Sequence, residues 1–247
     1  MRSLVSCRVA LFAAALTAAL ARPAAADITV ITRYTLISGD TLTRASYYAP
    51  KRVRVTSPDG KEFMFNRDND TVTVINHAAR SYWTGPRALA DSIAQRMIQQ
   101  NRKQVDTIAT RDPEAWRARV AGFTDSIRVS ATGKTQKFGG YPCDQFVLIA
   151  GDYMTSERWI ARALKVANYG PEMQKVVLAT IADPLGRVLM RMLIDMRTKD
   201  GLVLAGTTTF TTLGRSGFFA FEAVKVLSTP IPKEAWDIPS DYTPIRL

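Results

Sequence analysis

The chain has 247 residues, 47% of them hydrophobic and 22% charged, with a formal net charge of +11. That length can bury a sizeable core, while two cysteines and one histidine are too few for the multi-ligand metal centres built from such residues. The basic excess favours anionic surfaces such as lipid head groups. Nucleic acid is not expected, because Arg33, Arg44, Lys51, Arg52, Arg54, Arg80 and Arg87 are scattered and no aromatic RNA-binding signature accompanies them.

At the N-terminus, Arg2 and Arg8 precede the apolar run Val9 to Ala21, and Ala24 and Ala26 occupy the small-residue positions before Asp27. This order describes a secretory signal cleaved after Ala26. This run of 13 residues is too short for a membrane span of roughly 30 Å. Cleavage leaves one expected domain, residues 27–247, with a formal charge of +8 because three arginines depart and no acid does. A periplasmic location follows as an expectation. N-terminal sequencing of the periplasmic protein is expected to begin at Asp27, and an intact Met1 in that pool would contradict it. Cys143 is then the sole cysteine, so no internal disulfide can form. Its place between the turn "GGYP" and the apolar "FVLIA" suggests a small buried residue without catalytic role.

From Asp27 onward, strand signals dominate. "DITVITRYTLI" places Ile28, Val30, Thr32, Tyr34 and Leu36 on one face, and "SGD" turns the chain into "TLTRASYY". In "APKRVRVTS" Val53 and Val55 alternate with Arg52 and Arg54, and after the turn "PDG" Phe63 and Phe65 share one side of "KEFMFNR". "DND" leads into "TVTVINHAARSYW", a strand, a short polar connection and a second β-prone stretch. Turns this short predict an antiparallel meander.

Two helical insertions are predicted. Pro86 opens a segment in which Leu89, Ile93, Met97 and Val105 recur along one face, and Asp112–Pro113 begins a shorter helix carrying Trp116, Val120 and Phe123. "DSIRVSATG", "TQKFGG", "YPCDQFVLIAG" and "YMTSERWIA" read as strands. The second insertion starts at Pro171, and its later part sets Leu185, Val188, Leu189, Met192, Leu193 and Met196 at helical spacing before Asp200–Gly201 ends it. "LVLAGTTTFTTL" and "GFFAFEAVKVL" then read as long strands joined by "GRS", and the proline-rich "STPIPKEAWDIPSDYTPI" as an extended surface tail. This pattern predicts an α+β fold, an antiparallel curved sheet or incomplete β-barrel with helices collected on its concave side.

The order of signal peptide, "ISGD" meander, "TVTVINHAARSYW", "GGYPCDQF", a tryptophan strand and "AWDIPSDY" resembles the exported bacterial domain of unknown function 4412 family. That family is in turn similar to the periplasmic lipoprotein carrier LolA and its receptor LolB. The resemblance implies an open barrel around helices, with an apolar cavity for acyl chains. It transfers no role to a particular arginine.

Nucleophilic catalysis is not supported. His77, the only histidine, lies in a tight connection, with no G-x-S-x-G elsewhere, and is expected to be a turn residue. "ATGKT" lacks the first glycine of a phosphate-binding loop, and Asp68 with Asp70 reads as a turn. No enzyme activity, cofactor or metal is expected. The leading expectation is a carrier or sensor of lipid, lipoprotein acyl chains or another apolar ligand. Phe63, Phe65, Trp159, Leu189, Met192 and Leu193 are its candidate wall residues, and an anionic membrane surface is a further partner. The alternative is an envelope scaffold protein in which the same side chains fill a solid core. Ligand identity and oligomeric state are open.

Overall fold

The computed structural model describes residues 27–57, 60–87, 114, 121–122, 125–152, 154–166, 201–212 and 215–245. The elements in chain order are β1 (Ile28–Thr35), β2 (Thr41–Tyr48), β3 (Arg52–Thr56), β4 (Lys61–Asn66), β5 (Thr71–Asn76) and β6 (Ser81–Pro86). They continue as β7 (Ile127–Phe138), β8 (Tyr141–Ala150), β9 (Met154–Ala161), β10 (Leu202–Thr212) and β11 (Arg215–Leu227). A 3-10 turn (Lys233–Trp236) and the short β12 (Thr243–Pro244) close the chain. All twelve strands form one sheet, ordered β12-β6-β5-β4-β3-β2-β1-β11-β10-β9-β8-β7. Every pairing is antiparallel except that of β12 with β6.

This corrects the α+β expectation. The regular elements among the described residues are the strands of one large, mostly antiparallel sheet and one 3-10 turn, with helical residues only at Arg87, Glu114, Ala121, Gly122 and Asp125. Pro86, read as the opening of a helix, ends β6 opposite Thr71, a strand end being a place where a missing N–H is tolerated. Most of the expected helical segments, 86–105, 112–123 and 171–199, lie outside the described residues. The physical reason is range. Apolar periodicity reports one segment at a time, whereas β1 pairs with β11 (Thr29 opposite Leu227), a match no local window contains.

The turns follow from local chemistry. Gly60 has φ +78°, and its N–H bonds to the Ser57 carbonyl (3.1 Å), closing the "PDG" turn. Gly139 and Gly140, at φ +55° and +91°, form the two-residue connection between Phe138 and Tyr141, which pair directly. Two successive positive φ values match the twist of a hairpin. "TQKF" does not form a separate strand. It continues β7 past an irregularity between Ala131 and Thr135, where Gly133 has φ +76°.

Two apolar clusters anchor opposite parts of the sheet. In one, Val53, Phe63, Phe65, Val72 and Trp83 are buried together. In the other, Ile28, Val30, Cys143, Ala161, Leu164, Leu202, Leu204 and Ala223 are buried, with Phe138, Tyr141 and Trp159 packed against them. Burying each large aliphatic or aromatic side chain stabilises the fold by about 1.5–3 kcal/mol before entropy is counted.

Candidate functional site

The candidate wall residues separate into two places. Phe63 and Phe65 are 4% and 3% exposed. Register explains their packing: Val53, Phe65 and Val72 oppose one another across β3, β4 and β5, as do Val55, Phe63, Val74 and Trp83 through β6. Directly opposed residues share a face, so these side chains form one contiguous buried apolar cluster. Trp159 sits elsewhere, with its ring centroid 5.4 Å from that of Phe138. Leu189, Met192 and Leu193 lie outside the described residues.

Trp159 borders a cleft of about 480 Å³ whose lining includes Phe138, Ala205, Thr207, Ala220 and Phe221. Its position on β9 is set by direct pairing with Ala205 on β10 and Gln145 on β8. Arg33 and Glu222, also in the lining, are opposed across β1 and β11 and form an ion pair. Close by, the buried Arg158 guanidinium lies over the Phe221 ring at 5.3 Å and donates to Thr208 Oγ1 at 2.9 Å. The cation on the aromatic face fixes the Phe221 ring electrostatically. Gly206 makes this possible, since a Cβ there would lie 2.5 Å from Arg158 Nη1. By register, Trp159, Ala205, Glu222 and Arg33 share one face of the sheet, and Arg158, Gly206 and Phe221 the other. The Arg158–Phe221 contact therefore packs the far side, and the cleft is walled by Trp159, Phe138 and small side chains with Arg33 and Glu222 beside them.

A second constellation lies under the C-terminal tail. Arg54, alternating with two valines, is nonetheless buried. It forms an ion pair with Glu62, donating through Nε to Oε2 at 2.6 Å, and its Nη1 donates to the carbonyls of Ala235 (2.8 Å) and Asp237 (2.9 Å). Thr56 Oγ1 also donates to Glu62, at 3.2 Å. His77 occupies the turn between β5 and β6, and its side chain joins this network. Its Nε2 is 3.2 Å from Glu62 Oε1, and its Nδ1 is 2.7 Å from the Tyr242 hydroxyl. The ring thus has a polar neighbour at each nitrogen, the Glu62 carboxylate at one and the Tyr242 hydroxyl at the other. An Arg80–Asp241 ion pair and bonds from the N–H groups of Thr243 and Ile245 to the carbonyls of Arg80 (3.0 Å) and Tyr82 (2.8 Å) complete the attachment.

Neither His77 nor Tyr242 lines the cleft of about 580 Å³ between tail and sheet, which is bordered by Tyr47, Arg54, Glu62, Ala235 and Ile238. The arrangement pins the tail to the sheet. The tail runs along the surface as expected, none of its described residues being buried, and is held there as a strap by these side chains. The signal available was that Arg54 and Glu62 are opposite charges on one strand face, the face away from the valines, on either side of the "PDG" turn.

Cys143 is buried, and burial pushes its thiol up to about 11. A thiol held neutral at physiological pH is a poor nucleophile. A maleimide at pH 8 is expected to label native protein far more slowly than urea-unfolded protein, and equal rates would contradict this. Cys143→Ala is expected to lower stability by about 1–3 kcal/mol, measured by urea denaturation.

No family model matches this chain, and no curated protein matches it. Among solved structures, it is similar to an uncharacterized conserved protein from Thermus thermophilus, at 9% identity over 96% of this chain and 99% of that one, with a TM-score of 0.43. It is also similar to PNGF-II, at 14% identity over 90% of this chain but only 31% of PNGF-II, with a TM-score of 0.40. A domain from Vibrio parahaemolyticus described as an outer membrane lipoprotein-sorting protein matches at 11% identity over 90% of this chain and 94% of that one, with a TM-score of 0.19. Membership of the domain of unknown function 4412 family is not shown.

Proposed function

We propose that this protein is an exported carrier or sensor that binds a lipid, or the acyl part of a lipidated partner, in the cleft beside Trp159. One observation carries this reading: a cleft of about 480 Å³ with Phe138, Trp159, Ala205 and Ala220 among its lining residues. Its size falls within the roughly 300–1,000 Å³ typical of small-ligand sites. Apolar chains bind such a site by burial, at about 0.8 kcal/mol per methylene. Phe63 and Phe65 are buried in a separate cluster and do not line this cleft, so the binding role is assigned here to the Trp159 end. For the described residues, no helix is long and apolar enough to cross a membrane.

Native mass spectrometry of periplasmically expressed protein, with lipid extraction, tests the proposal. Co-purifying lipid is expected in the wild type and is expected to be lost in Ala220→Trp, which fills the cleft from β11. Absence of bound lipid, together with no uptake of a fluorescent fatty acid, would leave the scaffold reading.

A further inference from the structure

We propose that the cleft beside Trp159 takes a lipid whose head group carries both a phosphate and a primary ammonium, a refinement that rests on the binding role proposed above. The chain as a whole is strongly basic, at +11, and general electrostatics would direct it to anionic lipids. The cleft itself is different. Among the described residues, its charged lining residues are Arg33 and Glu222, one of each sign, opposed across β1 and β11 and paired with each other. Their side chains are 54% and 40% exposed, so the pair is open to solvent and costs little to separate.

An anionic head group alone would draw off the Arg33 guanidinium and leave the Glu222 carboxylate without its cation and beside a new negative charge. A cationic group alone would do the reverse to Arg33. A phosphoethanolamine group satisfies both, with phosphate oxygens accepting from Arg33 and the ammonium donating to Glu222. One internal ion pair is then replaced by two intermolecular ones, with charge-assisted hydrogen bonds at each. The acyl chains would lie along Phe138, Trp159 and Ala220. Overall charge and local charge thus make opposite predictions about head-group preference.

Isothermal titration of the mature chain with dihexanoyl phosphatidylethanolamine and with dihexanoyl phosphatidylglycerol, both as monomers, separates them. The ethanolamine lipid is expected to bind about tenfold more tightly. Glu222→Gln, a substitution at an exposed position, is expected to remove that preference by weakening the ethanolamine lipid alone. Equal or tighter binding of the glycerol lipid by the wild type, or an unchanged preference in Glu222→Gln, would overturn the head-group assignment while leaving lipid binding in place. Failure of both lipids to bind the wild type would overturn the binding role itself, and the assignment with it.

Discussion

Arg54→Ala is expected to lower the stability of the protein by about 3–5 kcal/mol and to release the C-terminal tail. The side chains of Arg54 and Glu62 are only 10% and 11% exposed. Removing the guanidinium therefore leaves a carboxylate out of water with Thr56 and His77 as its remaining partners, and strips the donor from the carbonyls of Ala235 and Asp237. The loss of a buried partner is costly because the orphaned charge keeps its desolvation penalty. Replacing both charges with methionine is expected to cost less than Arg54→Ala alone, since no lone charge remains. Urea denaturation of the two variants measures the difference. Limited proteolysis reads out the tail, with cleavage between Ser228 and Tyr242 expected to accelerate in Arg54→Ala. If the single substitution proves milder than the double, the buried pair does not hold the strap.

Gly201→Ala is expected to be far more damaging than Gly39→Ala, at roughly 3 kcal/mol or more. Gly201 has φ +137°, in a region that side chains rarely adopt, and a Cβ there would lie 2.3 Å from the Ala161 carbonyl oxygen and 2.8 Å from Arg162 Cα. Both obstacles are backbone atoms of the neighbouring strand end, so no rotamer change relieves them. Gly39 supplies the control. Its φ of +88° is also positive, but a Cβ at that position would meet nothing within 4 Å. Gly39→Ala should therefore cost only about 1 kcal/mol, the conformational part alone. At about 2–4 °C per kcal/mol for a chain of this size, calorimetry should show Gly201→Ala melting several degrees below Gly39→Ala. Equal melting temperatures would show that the backbone at Ala161 can move aside.

Much of the sheet was legible because strands advertise themselves locally. The alternation in "TVTVIN", the "PDG" turn and the "GG" before Tyr141 mark β5, the β3–β4 hairpin and the β7–β8 hairpin where they occur. Cys143 was legible for the same reason: a small residue at an in-facing strand position is buried wherever the strand is. The aromatic pair Phe63 and Phe65 was readable as one face. Its meaning was not, because whether a face borders a cavity or a filled core depends on what stands opposite it.

Period-two alternation and positive-φ glycines act within a few residues, so the strands, their turns and the apolar side of each are written in the chain itself. Which strands become neighbours is a matter of tertiary pairing, and every functional candidate follows from that choice. Pairing of β1 with β11 sets Arg33 opposite Glu222, 189 residues apart, and pairing of β9 with β10 sets Trp159 opposite Ala205. Folding the tail onto the sheet carries Tyr242 to His77, 165 residues away, and turns a loop histidine into a fastening. Contacts of this range leave no periodic trace along the chain, because they depend on loop closure and on the summed burial of the whole sheet, quantities that no single segment contains.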